Sequence, residues 1–414
     1  MVAPTMSFKG AYSDIVNLEM FVNDATGALV DIVGTDPRVG DWRHKAFVPA
    51  RLPEGMPELT MPTVLAVGNA RAALASLDST ARRLPDPTLL RVPTLRREAH
   101  STSALEGTYA PLSEVLGADV EEPGSPDLRE ILNFEVMARL GFAWAADGRP
   151  LSTTMLYDLQ GVLMRGGPLE EVSGRLRDTQ VVVGLRSDVD PGGPAIMRAR
   201  FVPAPPGPLL EAGLSDLVDW MRTDHSSTLD PVVAAAMSHY QFETLHPFRD
   251  GNGRLGRFLI VLHLLSMDVL GEPTLTVSPW FEARRAEYYD ALLGVSTRGD
   301  WDTYVAFFAR GLEAAARTTH TQMIELVGVQ AELKEIVRGS HLRSATPISV
   351  VDLAVAHPTF TVRHVEQALG VSYGRANKVV GQLVELGVLA FIDPEAYKRR
   401  VYAPRVHDVI LGRG

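Results

Sequence analysis

The chain has 414 residues, a formal net charge of −10 at pH 7 and no cysteine. This length predicts two or three domains. The absence of cysteine excludes disulfides and thiolate metal sites and fits a reducing compartment. The negative charge argues against general nucleic-acid binding, although a small local DNA site is compatible with it. No secretory signal is recognisable, and the most apolar window, Phe258–Leu270, is too short to span a bilayer. We therefore expect a cytoplasmic protein with no membrane association.

A lead-in of about 60 residues, rich in Pro and Gly and weakly periodic, precedes the first clear pattern. Its later part, 47–64, is typical of an extended chain. Ser125 followed by Pro126 is a good helix cap and first-turn pair. Apolar residues at steps of three and four predict helices within 63–84, 87–108, 125–145 and 151–166.

Two β-like runs interrupt this helical texture, at Gln180–Gly184 and Ala195–Val202. An Asp-Pro-Gly-Gly-Pro cluster separates them, and Pro-rich sequence follows the second run. Such a cluster between two apolar runs is a hairpin signal.

Helices resume after the hairpin. Asp230 as cap and Pro231 at the first position predict a helix that ends near Leu245. A second helix is expected to begin around Asn252 or Gly253. Further helical patterns occupy 280–295 and 301–337, the latter as one long helix or two.

The C-terminal region, residues 344–414, has a distinct pattern of three short helices followed by two strands around a turn. This order predicts a winged helix-turn-helix domain. Its recognition helix would be Ser372–Leu386, with Arg375, Asn377 and Lys378 facing outward. Because this is a modest number of basic residues, DNA binding, protein docking and a structural role all stay open.

The densest chemistry lies in HPFRDGNGRLGR, His246–Arg257, between two predicted helices. A loop that leads into a helix N-terminus is a natural anion site. Gly251 and Gly253 allow close approach of a ligand to the backbone. Arg254 and Arg257, three residues apart, share one helix face, and two guanidinium groups there suit a polyphosphate.

The remaining polar residues of the stretch complete a site for nucleotide chemistry. Asp250 beside a polyphosphate is repulsive unless a cation such as Mg²⁺ lies between them. His246, at the end of the preceding helix, can take a proton from an attacking hydroxyl. Taken singly, such glycines, histidines and arginines are more often turns, packed residues or solvated charges. No packing argument requires the whole set within twelve residues.

This stretch resembles the signature of Fic-domain adenylyltransferases, His-x-Phe-x-Asp/Glu-Gly-Asn-Gly-Arg-x-x-Arg, at every defined position. The resemblance extends from the helical N-terminal part to the region around Trp301. It implies a mainly α Fic-fold core with a β-hairpin flap. It also implies transfer of AMP from ATP to a Ser, Thr or Tyr hydroxyl of a protein, with release of pyrophosphate. Gly253 is retained, which favours AMP transfer over phosphorylation.

The same resemblance assigns roles within the motif. His246 would be the catalytic base and Asp250 the Mg²⁺ ligand. Arg254 would contact phosphate, Arg257 would pair with the γ-phosphate, and Phe248 would anchor the loop in the core. The expected nucleotide-binding residues, the first three of them forming an anion hole, are Gly251, Asn252, Gly253, Arg254, Leu255, Gly256 and Arg257.

The hairpin resembles the flap that docks the target segment in this family by strand addition. Ala204 interrupts the usual proline run at its exit. Tyr289 is expected to line the nucleotide or to pack in the core. Ser296 stands where some relatives have Asn, which puts an adenine contact there in doubt. The flap residues expected nearest the nucleotide are Val183, Gly184, Leu185 and Arg186.

An upstream stretch, TSALEG, resembles the family's inhibitory motif Ser/Thr-x-x-x-Glu-Gly/Asn and contains Thr102, Glu106 and Gly107. A carboxylate that reaches Arg257 would compete with the γ-phosphate and misplace the α-phosphate. In some relatives the same glutamate supports AMP removal. The ordinary alternative for Glu106 is a solvated carboxylate at a helix end.

The prediction is an ATP- and Mg²⁺-dependent protein adenylyltransferase, autoinhibited by Glu106. Its partners would be a hydroxyl-bearing target protein, itself as a substrate, and a second copy in a homodimer. One alternative is a Fic-type transferase of another nucleotide or of a phosphate group. Another is an ATP-sensing transcription regulator that acts through the winged helix. The predicted domains are an N-terminal helical region at 1–115, a catalytic domain at 116–335 and the winged helix at 344–414.

Overall fold

The structure, a computed structural model, describes residues 18–22, 24–37, 40–83, 91–118, 122–186, 194–393 and 399–413. Within these ranges the protein is mainly α-helical, as predicted. Its helices are α1 (Met61–Arg83), α2 (Arg91–Glu106), α3 (Leu112–Gly117), α4 (Pro126–Ala146), α5 (Thr153–Leu163), α6 (Pro208–Arg222), α7 (Pro231–Leu245), α8 (Asn252–Ser266), α9 (Ser278–Glu282), α10 (Arg285–Arg298), α11 (Trp301–Gly339), α12 (Thr346–Ala356), α13 (Val362–Leu369), α14 (Tyr373–Glu385) and α15 (Pro404–Leu411).

The strands form three small antiparallel sheets. The longest pair is an N-terminal hairpin, and a second hairpin and a three-stranded sheet in the order β5-β7-β6 come later in the chain. The strands are β1 (Gly27–Asp36), β2 (Gly40–Pro49), β3 (Val183–Leu185), β4 (Ala199–Phe201), β5 (Phe360–Thr361), β6 (Ala390–Phe391) and β7 (Arg400–Tyr402).

The N-terminal hairpin of β1 and β2 falls in the segment for which the sequence predicts an irregular lead-in, and there the prediction was wrong. Its ten paired positions run from Gly27 opposite Pro49 to Asp36 opposite Gly40. Ile32 and Ala46 pack in a small second core with residues of the later hairpin. The alternation of apolar side chains in β1 is short, so by itself it does not predict a strand. The strand is stabilised by packing against the later hairpin.

The later hairpin, called the flap below, is shorter than predicted. Val183 pairs with Phe201 and Leu185 with Ala199. Ala195–Arg198, expected as strand, forms a 3₁₀ turn instead, which shortens the second strand. The Asp-Pro-Gly-Gly part of the predicted turn lies outside the described residues.

Helices α7 and α8 form the centre of the main core, and nearly every residue of both is buried. The predicted start of α7 is confirmed, because the Asp230 carboxylate accepts a hydrogen bond of 2.8 Å from the backbone of Val232. The predicted cap of α4 is also confirmed, since Ser125 Oγ accepts from the backbone of Leu128 at 3.1 Å. The 301–337 pattern is a single helix, α11, which packs along α1.

The C-terminal helices occur in the predicted order, with two additions, β5 and α15. This region packs on α2, α3 and α11. Thr359 Oγ1 donates to the carbonyl of Leu116 at 2.8 Å, and the Lys334 ammonium lies 2.5 Å from the Asp352 carboxylate. Arg375 donates to Thr346 at 2.9 Å. The winged-helix assignment itself stays a prediction.

The predicted domain boundaries also stay predictions. The boundary at 115 lies inside α3, and the one at 335 lies near the end of α11. One continuous hydrophobic core runs from Val67 to Ile410 among the described residues. No helix described by the structure combines the length and apolar character needed to cross a membrane.

Candidate active site

His246 lies at the C-terminal end of α7 in a left-handed backbone conformation, with φ 48° and ψ 60°. Its backbone N–H donates to Phe242 at 3.0 Å. Ring nitrogen Nδ1 lies 3.3 Å from the carbonyl of Glu243, so a proton on Nδ1 leaves Nε2 free to accept one. Burial, with a smaller contribution from Arg177, outweighs the attraction of Glu106 and lowers the pKa of His246 to about 4. The ring is therefore neutral at pH 7, as a base must be.

The loop after His246 is closed by the side chain of Asn252. Its Oδ1 accepts from the Phe248 backbone and its Nδ2 donates to the Phe248 carbonyl, both at 2.9 Å. This side chain is therefore engaged within the loop, and the backbone N–H groups at the start of α8 are what the loop offers to an anion. Phe248 is fully buried, as expected of an anchor. Gly251 adopts a positive φ of 80°, which favours glycine at the turn into α8.

Arg257 brings α8 and α2 together, 151 residues apart in sequence. Its Nη2 donates to Glu106 Oε1 at 2.6 Å and to the Thr102 carbonyl at 3.0 Å. Its Nε donates to Thr102 Oγ1 at 2.7 Å. Arg257 is 1% exposed, whereas the Glu106 side chain is 30% exposed, so the pair is partly buried. The predicted meeting of TSALEG with the motif is what the structure shows.

Glu106 is placed by the way α2 ends. Gly107 has a positive φ of 97°, and the backbone of Thr108 returns to the carbonyl of Ser103 at 3.0 Å. Glu106 is thus the last helical residue. A methyl group at position 253 would overlap its carboxylate, so Gly253 makes room for it. Burial alone would raise the pKa of Glu106, but Arg257, with smaller contributions from Arg254 and His246, holds it below the ordinary value.

Arg254 is fully buried and has different partners. Its Nη1 lies 2.7 Å from Glu130 of α4, and its Nη2 lies 3.6 Å from Asp250. Thr108 donates to the same Glu130 oxygen at 2.8 Å. Within the described structure, Arg254 Nε and Arg257 Nη1 have no hydrogen-bond acceptor. Buried guanidinium donors without acceptors are suited to binding an anion.

A second buried carboxyl group, Glu243, lies beside this cluster. Burial raises its pKa to about 8, while Arg257 lowers and Glu106 raises it. On the same side, His239 contacts the hydroxyl of Tyr288 at 2.7 Å. Motif residues Leu255 and Gly256 are buried, Leu255 within the main core and Gly256 against Glu243 and Phe242.

Tyr289 is half-buried next to this cluster, and burial raises its pKa to about 12, with Glu106 adding to the rise and Arg257 opposing it. Tyr289 therefore lies near Glu106 and Arg257, the ion pair that a bound nucleotide would contact. Ser296 is buried and bonded to Tyr240 at 2.9 Å, which gives it a core role. Among the flap residues, Gly184 and Leu185 are exposed and Val183 is partly buried. Arg186 bonds through its backbone to Arg198 at 2.8 Å. Nucleotide contacts from these four residues stay predictions.

Asp250 offers one carboxylate, half-exposed, whose Oδ1 accepts from the backbone of Gly251 at 2.5 Å. In the part of the chain that the structure describes, no group of three or more His, Asp or Glu side chains could hold a metal ion alone. The donor set thus fits an ion such as Mg²⁺ only when phosphate oxygens and waters supply most ligands, which is common for this cation.

Two residues of the site were missed in the sequence. Glu130 pairs with Arg254, and Arg177 donates to the carbonyl of His246 at 2.8 Å. A single carboxylate within a predicted helix carries no local signal of such a role. Arg177 lies in the irregular run before the flap, where an arginine is ordinarily solvated.

Comparison with known proteins agrees with this geometry. Residues 64–143 match the model described as Fic/DOC family N-terminal, and residues 150–264 match the model of the Fic/DOC family. Over these segments the chain is similar to the Fic/DOC family, in agreement with its motif and helical core.

Individual relatives extend the comparison. The chain is 36% identical over 154 residues to Protein adenylyltransferase fic-1 of Caenorhabditis elegans. It is 33% identical over 148 residues to Protein adenylyltransferase Fic of Drosophila melanogaster. These alignments cover 37% and 36% of this chain but 25% of each relative. The chain therefore matches only a quarter of their length.

A solved structure supports the fold. The crystal structure of a Fic family protein from Desulfovibrio desulfuricans G20 superimposes with a TM-score of 0.53 at 21% sequence identity. The match covers 84% of this chain and 97% of that chain. At this identity the likeness concerns the fold alone.

Proposed function

We propose that this protein transfers AMP from ATP to a Ser, Thr or Tyr hydroxyl of a target protein, and of itself, with release of pyrophosphate. The observation that carries the proposal is the convergence of His246 with two buried arginines at the N-terminus of α8. Arg254 Nε and Arg257 Nη1 are donors without acceptors there. The names of the relatives support the same reaction.

In this reaction the neutral His246 takes the proton of the target hydroxyl through Nε2. The hydroxyl oxygen forms a bond to the α-phosphorus of ATP while the bond from that phosphorus to the pyrophosphate oxygen breaks. The start of α8 and Arg254 offer positive potential to the phosphates. The Arg257 guanidinium would bind the γ-phosphate. Asp250 would hold Mg²⁺, which would neutralise phosphate charge.

We further propose that Glu106 restrains this activity. Its carboxylate occupies Arg257 Nη2 at 2.6 Å, so the γ-phosphate and Glu106 compete for one guanidinium. A displaced γ-phosphate moves the α-phosphate out of line with the target hydroxyl, and small misplacements are costly in rate. A carboxylate so close to the site also suits the removal of AMP, by positioning a water molecule.

The test uses the Glu106→Gly variant, which lacks the competing carboxylate. Purified protein is incubated with ATP labelled at the α-phosphate or, separately, at the γ-phosphate, and label on protein is measured. We expect label from the α-position only, and none when His246→Ala is added to the same variant. Label from the γ-position would instead show a phosphate transferase, and no label from either would reject transfer to protein.

A further inference from the structure

Arg177 is a buried arginine whose guanidinium donates to backbone carbonyls from three segments of the chain. It is 2% exposed. Nε donates to His246 at 2.8 Å, and Nη2 donates to Leu245 at 3.4 Å. Nη2 also donates to Ala204, and Nη1 to Thr179 at 3.3 Å. The residue thus joins the end of α7 to both stems of the flap.

The guanidinium has no carboxylate within ion-pair distance among the described residues, which is unusual for a buried cation. Burial lowers the pKa of Arg177 to about 10, so it stays protonated at neutral pH. Its counter-charge is the carbonyl end of α7. The last carbonyls of a helix have no partner within the helix and carry its negative pole. A cation placed there donates hydrogen bonds to these carbonyls and also interacts favourably with the negative pole of the helix.

These carbonyls belong to the base and to the residue before it. His246 is one of two non-glycine residues with positive φ in the described structure. A left-handed conformation is unfavourable for an L-residue, so it persists where surrounding contacts enforce it. The backbone N–H of Arg177 adds one such contact, by donating to the carbonyl of Pro247 at 3.0 Å.

We propose that Arg177 is a positioning residue for catalysis, which holds His246 in its left-handed conformation and fixes the flap relative to it. This inference rests on the proposed role of His246 as base. Arg177 also bonds to both stems of the flap, which the resemblance expects to dock the target, so its loss would change the position of the target hydroxyl relative to Nε2. The arginines proposed to bind phosphate lie on α8, and within the described residues the side-chain hydrogen bonds of Arg177 go to backbone carbonyls and not to them.

The two functions of the site should therefore separate when Arg177 is replaced. ATP affinity depends on Arg254, Arg257 and the start of α8, so it should stay unchanged. Proton transfer and alignment depend on His246 and the flap, so kcat should fall. A misplacement of about 1 Å at a reacting group costs on the order of 100-fold in rate.

The experiment compares Arg177→Met and Arg177→Lys in the Glu106→Gly variant. The measurements are kcat for AMP transfer, the Kd for ATP and the thermal midpoint. Arg177→Met should lower kcat about 100-fold. Arg177→Lys keeps the charge but lacks the planar fork, so it should recover part of the loss. Leu333→Ala, a buried change on the distal half of α11, serves as a control of reduced stability with unchanged kcat.

Each outcome decides the inference. An unchanged kcat in Arg177→Met, or equal losses of kcat and ATP affinity, would overturn it. If Arg177→Met does not fold, Arg177→Lys decides by the same comparison of kcat with Kd. No transfer by the parent Glu106→Gly variant rejects the proposed function itself and is seen before any Arg177 variant is measured.

Discussion

The motif segment His246–Arg257 and the end of α2 contribute to the same buried cluster in different ways. The motif carries its parts within twelve neighbouring residues, on a loop and the first turns of α8. The end of α2 contributes Thr102 and Glu106, which reach Arg257 across 151 to 155 positions of sequence. The motif contributes the residues of the proposed reaction, and Glu106 of α2 binds one of them, Arg257.

This difference implies that activity and restraint can be altered separately. Changes at His246 should remove the reaction whether or not α2 is in place. Changes at Glu106 or Thr102 should free Arg257 while the reacting groups stay intact. Arg257 is the residue that the two segments share.

The largest effect is expected for His246→Ala. Loss of a general base lowers a rate by about 10²–10⁴-fold, and we expect this loss of AMP transfer in the wild type and in the Glu106→Gly variant alike. ATP binding, measured by calorimetry, should persist because the arginines remain. Retained transfer in the double variant would show that His246 is not the base.

A gain of activity is expected for Glu106→Gly. A charge-assisted hydrogen bond of about 1.5–3 kcal/mol is removed, which corresponds to about a 10- to 100-fold rise in transfer rate. Glu114→Gln, an exposed carboxylate on α3, is the matched control. Because the pKa of Glu106 is lowered, the pair is present at neutral pH and is lost as pH falls through that lowered value. An unchanged rate would contradict restraint by α2.

A smaller gain is expected for Thr102→Val. This change removes the acceptor of the 2.7 Å bond from Arg257 Nε but keeps the shape of the side chain. The loss of one hydrogen bond, about 1 kcal/mol, should raise the transfer rate about 5-fold. Ser103→Ala on the same helix is the control, because Ser103 Oγ has no partner within the described residues. Equal effects of both changes would remove the specific role of Thr102.

The smallest effect concerns the far end of α8, away from both segments. Burial, with His225 adding to it, lowers the pKa of His263 to about 4 from an ordinary 6.5. The unfolded chain therefore binds a proton between these pH values that the folded chain does not, so stability falls as pH drops from 6.5 towards 4. His263→Gln should flatten this fall in thermal midpoint and leave the transfer rate unchanged. Superimposable pH profiles would contradict a neutral buried His263.

Much of the helical framework was predictable because its signals are local. Asp230 with Pro231, and Ser125 with Pro126, mark helix starts that the structure confirms. The N-terminal hairpin was not predictable, because Ile32 and Ala46 find their apolar partners on the flap, more than 140 residues away. The roles of Arg177 and Glu130 could not be predicted for a related reason, because they depend on contacts with backbone and side chains that are distant in sequence.

The sequence by itself determined the class of site, because a base, an acid, glycines and arginines at fixed spacing lie on one loop and one helix turn. It also contained the carboxylate proposed to restrain the site, as a short motif in α2. Only the tertiary structure decided that Glu106 pairs with Arg257 and that Arg254 pairs with Glu130. It also decided that Arg177 donates to the backbone carbonyl of His246. Those pairings depend on how helices far apart in the chain pack, and buried charges acquire their roles from the partners that packing brings within a few ångströms.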